Sequence, residues 1–187
     1  ARIWTLRTSF PTGNLLPEQA KIGQIDNEPS QRGRRAPLTW GVTGDVSETI
    51  AALLPKLKSG RSTKFLDAAK THYTKAREAL DDLAEPSKPG QPIHPQYLTR
   101  LVNEIADEDA IFTADVGTPT VWAARYLTMN GKRRLLGSFN HGSMANAMLQ
   151  ALGAKAAAPK RQVVSLSGDG GFTMMMGDFL SLKQLNL

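Results

Sequence analysis

Downstream of residue 92, the apolar and polar positions alternate between helical and strand patterns. Helical spacing covers residues 94–106, 119–127, 144–157 and the stretch from 174 to the last residue, and strand patterns cover residues 110–116, 134–139 and 162–167. The strands have no polar face, which is typical of a parallel sheet covered by helices on both sides. We therefore predict an α/β fold whose ligand-binding loops follow the carboxyl ends of the strands.

The first 58 residues show a weaker version of the same pattern. A strand-like piece spans residues 3–6, and residues 21–26 form a second strand pattern that ends in Asp26. A polar, Arg-rich loop follows. Residues 45–58 then have helical spacing, with Asp45 or Ser47 as the capping residue.

Between these parts lies a long, heavily charged helical pattern over residues 63–85, followed by a Pro-rich break at residues 86–92. We interpret residues 59–92 as a helical linker. The chain is thus predicted to contain two partial three-layer αβα domains with parallel sheets, at residues 1–58 and 93–187, joined by that linker.

Composition excludes several classes of protein. The 187 residues include no cysteine, which excludes disulfides, thiolate zinc sites and thiol nucleophiles and favours a cytoplasmic location. No run of about 18 apolar residues predicts a transmembrane helix, and the first residues lack the apolar core of a signal peptide.

The net charge of +6 raises the alternative of nucleic-acid binding. The basic residues fall into three small groups: Arg32, Arg34 and Arg35; Lys132, Arg133 and Arg134; Lys155, Lys160 and Arg161. No aromatic residues are interleaved with them, so solvated surface or local contacts are favoured, and we expect no nucleic-acid partner.

The most informative segment is residues 163–172, an apolar strand pattern that ends in Gly168, Asp169, Gly170 and Gly171. A carboxylate and bare backbone N–H groups at a strand end suit a divalent metal that carries a diphosphate. The alternative is a turn aspartate that caps the next helix, and the segment alone leaves both open.

Two other loops are predicted at the same sheet edge. In residues 115–118, Thr118 can cap a helix or bind an anion, and capping is favoured for this motif alone. In residues 142–144, backbone N–H groups precede Met144, a residue type that usually lies in the core. The neighbouring His141 is a proton donor or, more commonly for a loop histidine, is hydrogen-bonded to backbone.

Taken together, the three loops resemble the thiamine diphosphate enzymes of the pyruvate oxidase, acetolactate synthase and pyruvate decarboxylase group. Residues 115–127 and 130–148 are similar almost residue for residue to the pyruvate oxidase and quinone-linked pyruvate dehydrogenase branch. The resemblance is strong over residues 93–187 and moderate before them.

The resemblance implies roles for individual residues. Asp169 would bind Mg²⁺, with Gly170 and Gly171 at the phosphates. Further contacts to thiamine diphosphate are implied for Asp115, Gly117, Thr118, Gly142, Ser143 and Met144. Met144 would be the wedge that bends the cofactor, and the Gly142 carbonyl would accept from its aminopyrimidine. The first domain would contact FAD through Asn27, Glu28, Pro29, Ser30, Gln31 and Asp45.

The implied chemistry is decarboxylation of a 2-oxo acid, pyruvate in the first place, with electrons passing to FAD and then to quinone or oxygen. The activating glutamate and a further metal-binding Asn of the family have no counterpart here. We therefore expect a fragment of a larger homo-oligomeric enzyme, dimeric or tetrameric and inactive alone, with peripheral membrane association only when intact. The competing interpretation is a non-catalytic flavin- or nucleotide-binding module, in which Asp26, Asn27 and Asp45 serve a dinucleotide.

Overall fold

The computed structural model describes residues 19–34, 36–58 and 62–187. The chain divides into two compact units, Ala1–Thr63 and Lys64–Leu187. The strand predicted over residues 3–6 and the basic residue Arg35 lie outside the described residues. The domain boundaries read from the sequence remain a prediction, although the long charged helix belongs to the second compact unit.

The first unit contains a two-stranded parallel sheet and one helix. Its elements are β1 (Gly23–Asp26), a 3-10 turn (Pro29–Gln31), β2 (Trp40–Thr43), α1 (Val46–Leu53) and a second 3-10 turn (Leu54–Lys56). Asp45 is the residue that caps α1, because its Oδ1 accepts the N–H groups of Ser47 and Glu48 at 2.8 and 3.1 Å.

Strand β2 was not predicted, because its sequence lies directly after a polar, Arg-rich loop. In the structure Trp40 pairs with Gly23 across the two strands. The indole ring covers Gly23 so closely that a Cβ at that glycine would lie 2.0 Å from it. The strand therefore forms through pairing with a distant segment, which a local pattern does not reveal.

The second unit contains a three-stranded parallel sheet in the order β4-β3-β5. Its elements are α2 (Lys64–Leu83), α3 (Pro95–Ile105), β3 (Ile111–Ala114), α4 (Thr118–Tyr126), β4 (Arg134–Gly137), α5 (Asn146–Ala157), β5 (Val163–Leu166), α6 (Asp169–Met174), a 3-10 turn (Met176–Phe179) and α7 (Leu180–Gln184). The α/β class with parallel sheets, predicted from the sequence, is confirmed for both units.

The central strand β3 is buried along its whole length and organises the core of the second unit. Phe112 is fully buried and packs with Ala110, Ala114, Ala123 and Leu127. Helix α5 contacts all three strands, and α4 contacts β3 and β5. Because the chain crosses from β3 to β4 and then back past β3 to β5, right-handed connections put α4 and α5 on opposite faces of the sheet.

Helix α2 contacts α4 through a hydrogen bond in which the Tyr126 hydroxyl donates to the Leu80 carbonyl at 2.9 Å. Helix α3 packs on the same α4, but only part of its predicted apolar face is covered. Val102 contacts the core, whereas Leu98 and Ile105 are 52% and 78% exposed.

The end of the chain corrects one sequence prediction. A continuous helix was expected from Met174, but α6 begins five residues earlier, at Asp169, and a 3-10 turn separates it from α7. Two glycines in its first turn disfavour a helix by about 1 kcal/mol each relative to alanine. Packing against the neighbouring loops therefore sets this start.

Candidate functional site

The three loops singled out in the sequence meet in one cleft at the carboxyl ends of β3 and β5. The cleft has a volume of about 170 Å³ and is lined by Asp115, Val116, Gly117, Thr118, Pro119, Met144, Gly168, Asp169, Gly170 and Gly171. Strands β3 and β5 are parallel neighbours, with Ala114 opposite Leu166, so the loops after them leave the sheet side by side. The chain continues from β3 to β4, on the side of β3 that faces away from β5, so the strand order reverses direction at β3. Open α/β sheets bind ligands at such points.

Asp115 lies at the back of the cleft and is 2% exposed. Its Oδ1 accepts the N–H of Ala147 at 2.9 Å and the Nδ2 group of Asn146 at 3.4 Å. It thereby satisfies a backbone N–H in the first turn of α5, which has no capping side chain of its own. Its Oδ2 is buried and has no hydrogen-bond partner.

Ala145, just before α5, has the left-handed backbone conformation, with φ 60° and ψ 14°. This conformation costs a non-glycine residue on the order of 1–3 kcal/mol and is concentrated at functional sites. Ala145 is also buried, and the turn it makes directs the preceding Met144 to the cleft. Met144 is 52% exposed, so the expectation that it belongs to the core is wrong.

Gly171 allows α6 to approach the back of the cleft. A Cβ at this position would lie 2.2 Å from Asp115 Oδ2 and 3.4 Å from the Ala145 nitrogen. Only glycine fits without displacing one of them. Gly170 is exposed instead, and a Cβ there would make ordinary contact with the Met144 Cε at 3.8 Å.

Asp169 is the first residue of α6, and its side chain is exposed at the cleft. Its Oδ1 accepts the N–H of Gly170 at 2.8 Å, so one oxygen is engaged within the first turn of its own helix. Asp169 as a whole belongs to the lining of the cleft. The metal role of Asp169 stays a prediction, and the geometry leaves room for an ion.

The loop after β3 corrects the interpretation of Thr118. Gly117, not Thr118, is the N-cap of α4, and no side chain caps this helix. Gly117 has φ 124° and ψ −150°, a combination that only glycine adopts readily. Thr118 is exposed at the cleft, while the neighbouring Thr120 hydroxyl donates to the Asp115 carbonyl at 2.6 Å.

The charges that line the cleft are all negative. Asp115 and Asp169 belong to the lining, and no Lys, Arg or His does. In the described parts of the chain, no three His, Asp or Glu side chains come together as a metal site. A cation here would have one accessible carboxylate, and its other ligands would come from backbone, water or the bound molecule.

Two predicted contacts lie beside the cleft rather than in its lining. The Gly142 N–H donates to the Ser138 carbonyl at 2.8 Å, with Gly142 at φ 72°, and the Ser143 carbonyl accepts from Asn146 Nδ2 at 2.6 Å. His141 in the same loop is exposed and also lies outside the lining. Conversely, sequence reasoning did not select Val116, Pro119 and Gly168, although all three belong to the quoted motifs.

The predicted flavin contacts belong to the first unit. Asp26 pairs with Thr43 at the ends of β1 and β2, so residues 27–31 and Asp45 leave the same edge of the small sheet. Asn27, Glu28, Pro29 and Ser30 are exposed and Gln31 is half-buried. Glu28 caps the 3-10 turn, its Oε1 accepting the Ser30 N–H at 3.2 Å.

Several basic residues make internal contacts. Arg133 donates to the carbonyls of Asn103, Ala106 and Asp107 at the end of α3, at 3.1, 2.6 and 3.0 Å. Its guanidinium also lies 5.6 Å from the centre of the Phe112 ring. Arg161 donates to the Asp109 carbonyl. Through these contacts, both arginines have a structural role within the second unit.

Among the residues that the structure covers, none of the helices combines the length and apolarity that a membrane span requires.

Part of the second unit matches a known protein family. Residues 115–187 match the sequence model of the family described as thiamine pyrophosphate enzyme, C-terminal TPP binding domain. The match begins at Asp115 and includes all three cleft loops.

Three relatives extend the likeness over most of the chain. A putative thiamine pyrophosphate-containing protein of Bacillus subtilis, YdaP, is 31% identical over 173 residues, 92% of this chain and 30% of the relative. Pyruvate oxidase of Lactiplantibacillus plantarum is 33% identical over 164 residues, 88% of this chain and 27% of the relative. The large subunit of acetolactate synthase from Corynebacterium glutamicum is 32% identical over 155 residues, 83% of this chain and 25% of the relative.

The chain thus spans about a quarter to a third of the length of these relatives. The family expected from the three loops is confirmed by the match that begins at the cleft. Through residues 115–187, the chain belongs to the family of thiamine pyrophosphate enzymes.

Proposed function

We propose that this chain acts within a thiamine diphosphate- and Mg²⁺-dependent enzyme that decarboxylates a 2-oxo acid, with pyruvate as the first candidate. The observation that carries the proposal is the cleft between the ends of β3 and β5, where all three sequence motifs converge. Pyruvate oxidase and acetolactate synthase are both among the relatives, which supports a small 2-oxo acid as substrate.

The lining suits a diphosphate that is bridged by a metal. Gly168, Gly170 and Gly117 have no side chains to obstruct an approach to the backbone, and Asp169 supplies a carboxylate oxygen, the ligand type that Mg²⁺ prefers. Asp169 would hold Mg²⁺, with the diphosphate against Gly170, Gly171, Gly117 and Thr118 and beside Asp115. When bound, thiamine diphosphate supplies an electron-accepting ring for the decarboxylation.

The remaining contacts would orient the ring system. Met144 projects into the cleft as an exposed apolar side chain, which suits a role as the wedge beneath the cofactor. Gly142 and Ser143 lie just before it, so we assign them to the far end of the cofactor, where the Gly142 carbonyl accepts a hydrogen bond.

We further propose FAD as the electron acceptor, with quinone or oxygen after it, and residues 27–31 and Asp45 as its contacts. The support is their common position at the carboxyl edge of a parallel sheet. The Asp45 carboxylate already caps α1, so its contact to a flavin would use the remaining oxygen or the backbone.

A second candidate is carboligation, in which the two-carbon unit left after decarboxylation joins another 2-oxo acid. The acetolactate synthase relative, at 32% identity against 33% for pyruvate oxidase, favours neither reaction over the other. For either reaction we propose a cytoplasmic homo-oligomer, a dimer or tetramer, with membrane association confined to a quinone-linked form. Product analysis separates them, since oxidation gives a two-carbon acid and carboligation gives a longer hydroxy-keto acid.

The cofactor proposal is tested by NMR titration of the ¹⁵N-labelled chain with Mg²⁺–thiamine diphosphate. Amide shifts are expected at Gly117, Gly170 and Gly171, and thiamine without the diphosphate should not produce them. D169N should weaken binding at least about tenfold, equivalent to 1.4 kcal/mol. D178N, which changes a carboxylate outside the cleft lining, should bind normally.

Unmoved cleft amides at millimolar Mg²⁺–thiamine diphosphate would contradict the proposal. Parallel titration with FAD tests the first unit. Shifts at residues 27–31 without shifts in the cleft would favour the flavin-binding module over the enzyme. Pyruvate turnover by the 187-residue chain alone is expected to be undetectable, and its detection would overturn that expectation.

A further inference from the structure

The charge of the cleft has a second source besides the proposed metal ligand. Asp115 and Asp169 both line it, and the lining contains no basic residue. None of the ion pairs found among the described residues includes Asp115. The charged side chains that a diphosphate without a cation would face are therefore all negative.

Asp115 cannot be a direct ligand in this arrangement. Its Oδ1 already accepts two N–H groups, from Ala147 and Asn146. Its Oδ2 is inaccessible to solvent, and Gly171 packs so tightly against it that even a methyl group would not fit. An ion in the cleft could approach Asp169 but could not touch either oxygen of Asp115.

The unpartnered Oδ2 nevertheless needs an explanation, because buried polar atoms almost always have a hydrogen-bond partner. A buried carboxylate with neither a full set of donors nor an ion pair is destabilising unless a positive charge is nearby. The cleft in front of it offers space in which a cation could lie. Charge acts at longer range there than in bulk water, because the effective dielectric constant is lower.

We propose that Asp115 is a positioning residue with two parts to its role. Its charge draws the divalent cation to Asp169, and its hydrogen bond to Ala147 fixes the strained turn at Ala145 that presents Met144. The inference rests on the proposed function, because it presupposes a cation in this cleft. It adds a group outside the coordination sphere as a determinant of cation affinity.

The test separates charge from shape. In D115N the amide oxygen still accepts from Ala147, while the formal charge is lost. Calorimetric titration with MgCl₂, with and without inorganic pyrophosphate, should show Mg²⁺ binding weakened by roughly tenfold relative to the unsubstituted chain. The dependence of affinity on ionic strength should also become flatter, which a purely structural role would not produce. D178N is the matched control and should match the unsubstituted chain in both measurements.

The outcomes distinguish this inference from the proposed function. If the unsubstituted chain binds no Mg²⁺ in the presence of pyrophosphate, the proposed function fails and the inference fails with it. If D169N abolishes binding while D115N binds normally, with an unchanged salt dependence, only the inference is overturned. D115S, whose side chain is smaller, is the second uncharged variant. Loss of folded structure in both D115N and D115S would overturn the inference, because the residue would then act on the fold alone.

Discussion

The two units present the same arrangement, a parallel sheet with carboxylates beyond its carboxyl edge, but they use those carboxylates differently. In the first unit, Asp26 Oδ1 accepts the Glu28 N–H at 3.0 Å and Oδ2 lies 3.4 Å from Gln24 Nε2. In the second unit, Asp115 Oδ2 is left without a partner beside a cleft. A carboxylate that is satisfied by its own loop stabilises that loop, whereas an unsatisfied one beside a cleft indicates a ligand.

The units also differ in what they bury. The second unit has an apolar core centred on Phe112, which is fully buried. Among the described residues of the first unit, the buried one is the polar Asp26, and Ile50, Leu53 and Trp40 are 42%, 45% and 53% exposed. Apolar burial holds the second sheet together, and the described part of the first sheet depends more on hydrogen bonds.

The largest effect is expected for F112A, which removes the centre of the core of the second unit. We expect a loss of about 3–5 kcal/mol in unfolding free energy. F65A, at a position that is 87% exposed, is the control and should change stability by less than about 0.5 kcal/mol. Urea unfolding followed by circular dichroism measures both. If I50A in the first unit proved as costly as F112A, the contrast in burial would be wrong.

The next largest effect is expected for G171A. The added methyl group would lie 2.2 Å from Asp115 Oδ2, so α6 or Asp115 must move, at a cost of about 1–3 kcal/mol. A Cβ at Gly177 meets nothing within 4 Å, so G177A is the matched control. Thermal unfolding and Mg²⁺–pyrophosphate titration should show loss of both stability and affinity in G171A alone. Equal behaviour of the two variants would contradict the close approach at Gly171.

A smaller effect on stability is expected when each of the two buried carboxylates is replaced by an amide. D26N replaces an acceptor that faces the Gln24 Nε2 donor, so about 1 kcal/mol of stability should be lost. D115N, measured in EDTA, should cost less, because the oxygen without a partner has no bond to lose. Chemical denaturation at fixed pH measures both. A larger loss for D115N than for D26N would reverse the comparison between the units.

The smallest effect is expected for an exposed ion pair near the amino end of β3, the end away from the cleft. Lys132 lies 2.7 Å from Glu108 and lowers the pKa of that carboxyl, while Glu108 raises the pKa of Lys132. The ion pair therefore contributes its full stabilisation between the usual carboxyl pKa of about 4.3 and the usual lysine pKa of about 10.4. This stabilisation is lost as the pH falls through the lowered pKa of Glu108, and also as the pH rises through the raised pKa of Lys132.

E108Q should accordingly lower the melting temperature slightly near neutral pH, and the difference should vanish in acid. Added salt should also reduce it, because both groups are exposed to solvent. A difference that persisted unchanged at pH 3 would show that the glutamate acts through something other than its charge.

Much of the second unit follows from local patterns. The strand at residues 110–116 and the helices at residues 94–106 and 119–127 were predicted within one or two residues of β3, α3 and α4. The alternation of apolar strands and helices was enough for the parallel α/β class, and the loop positions followed from it. The start of α6 could not be predicted, because Gly170 and Gly171 argue against a helix, while close packing against Asp115 requires a glycine at position 171.

The sequence by itself determined the class of fold, the three loops at one sheet edge and the carboxylate at Asp169, because each follows from residue type and spacing over short stretches of chain. Only the tertiary structure decided that Asp115 is buried with one free oxygen, that Gly171 packs against it, and that Ala145 takes a left-handed turn to present Met144. These features arise where segments far apart in the chain pack against each other, and no local propensity encodes such contacts.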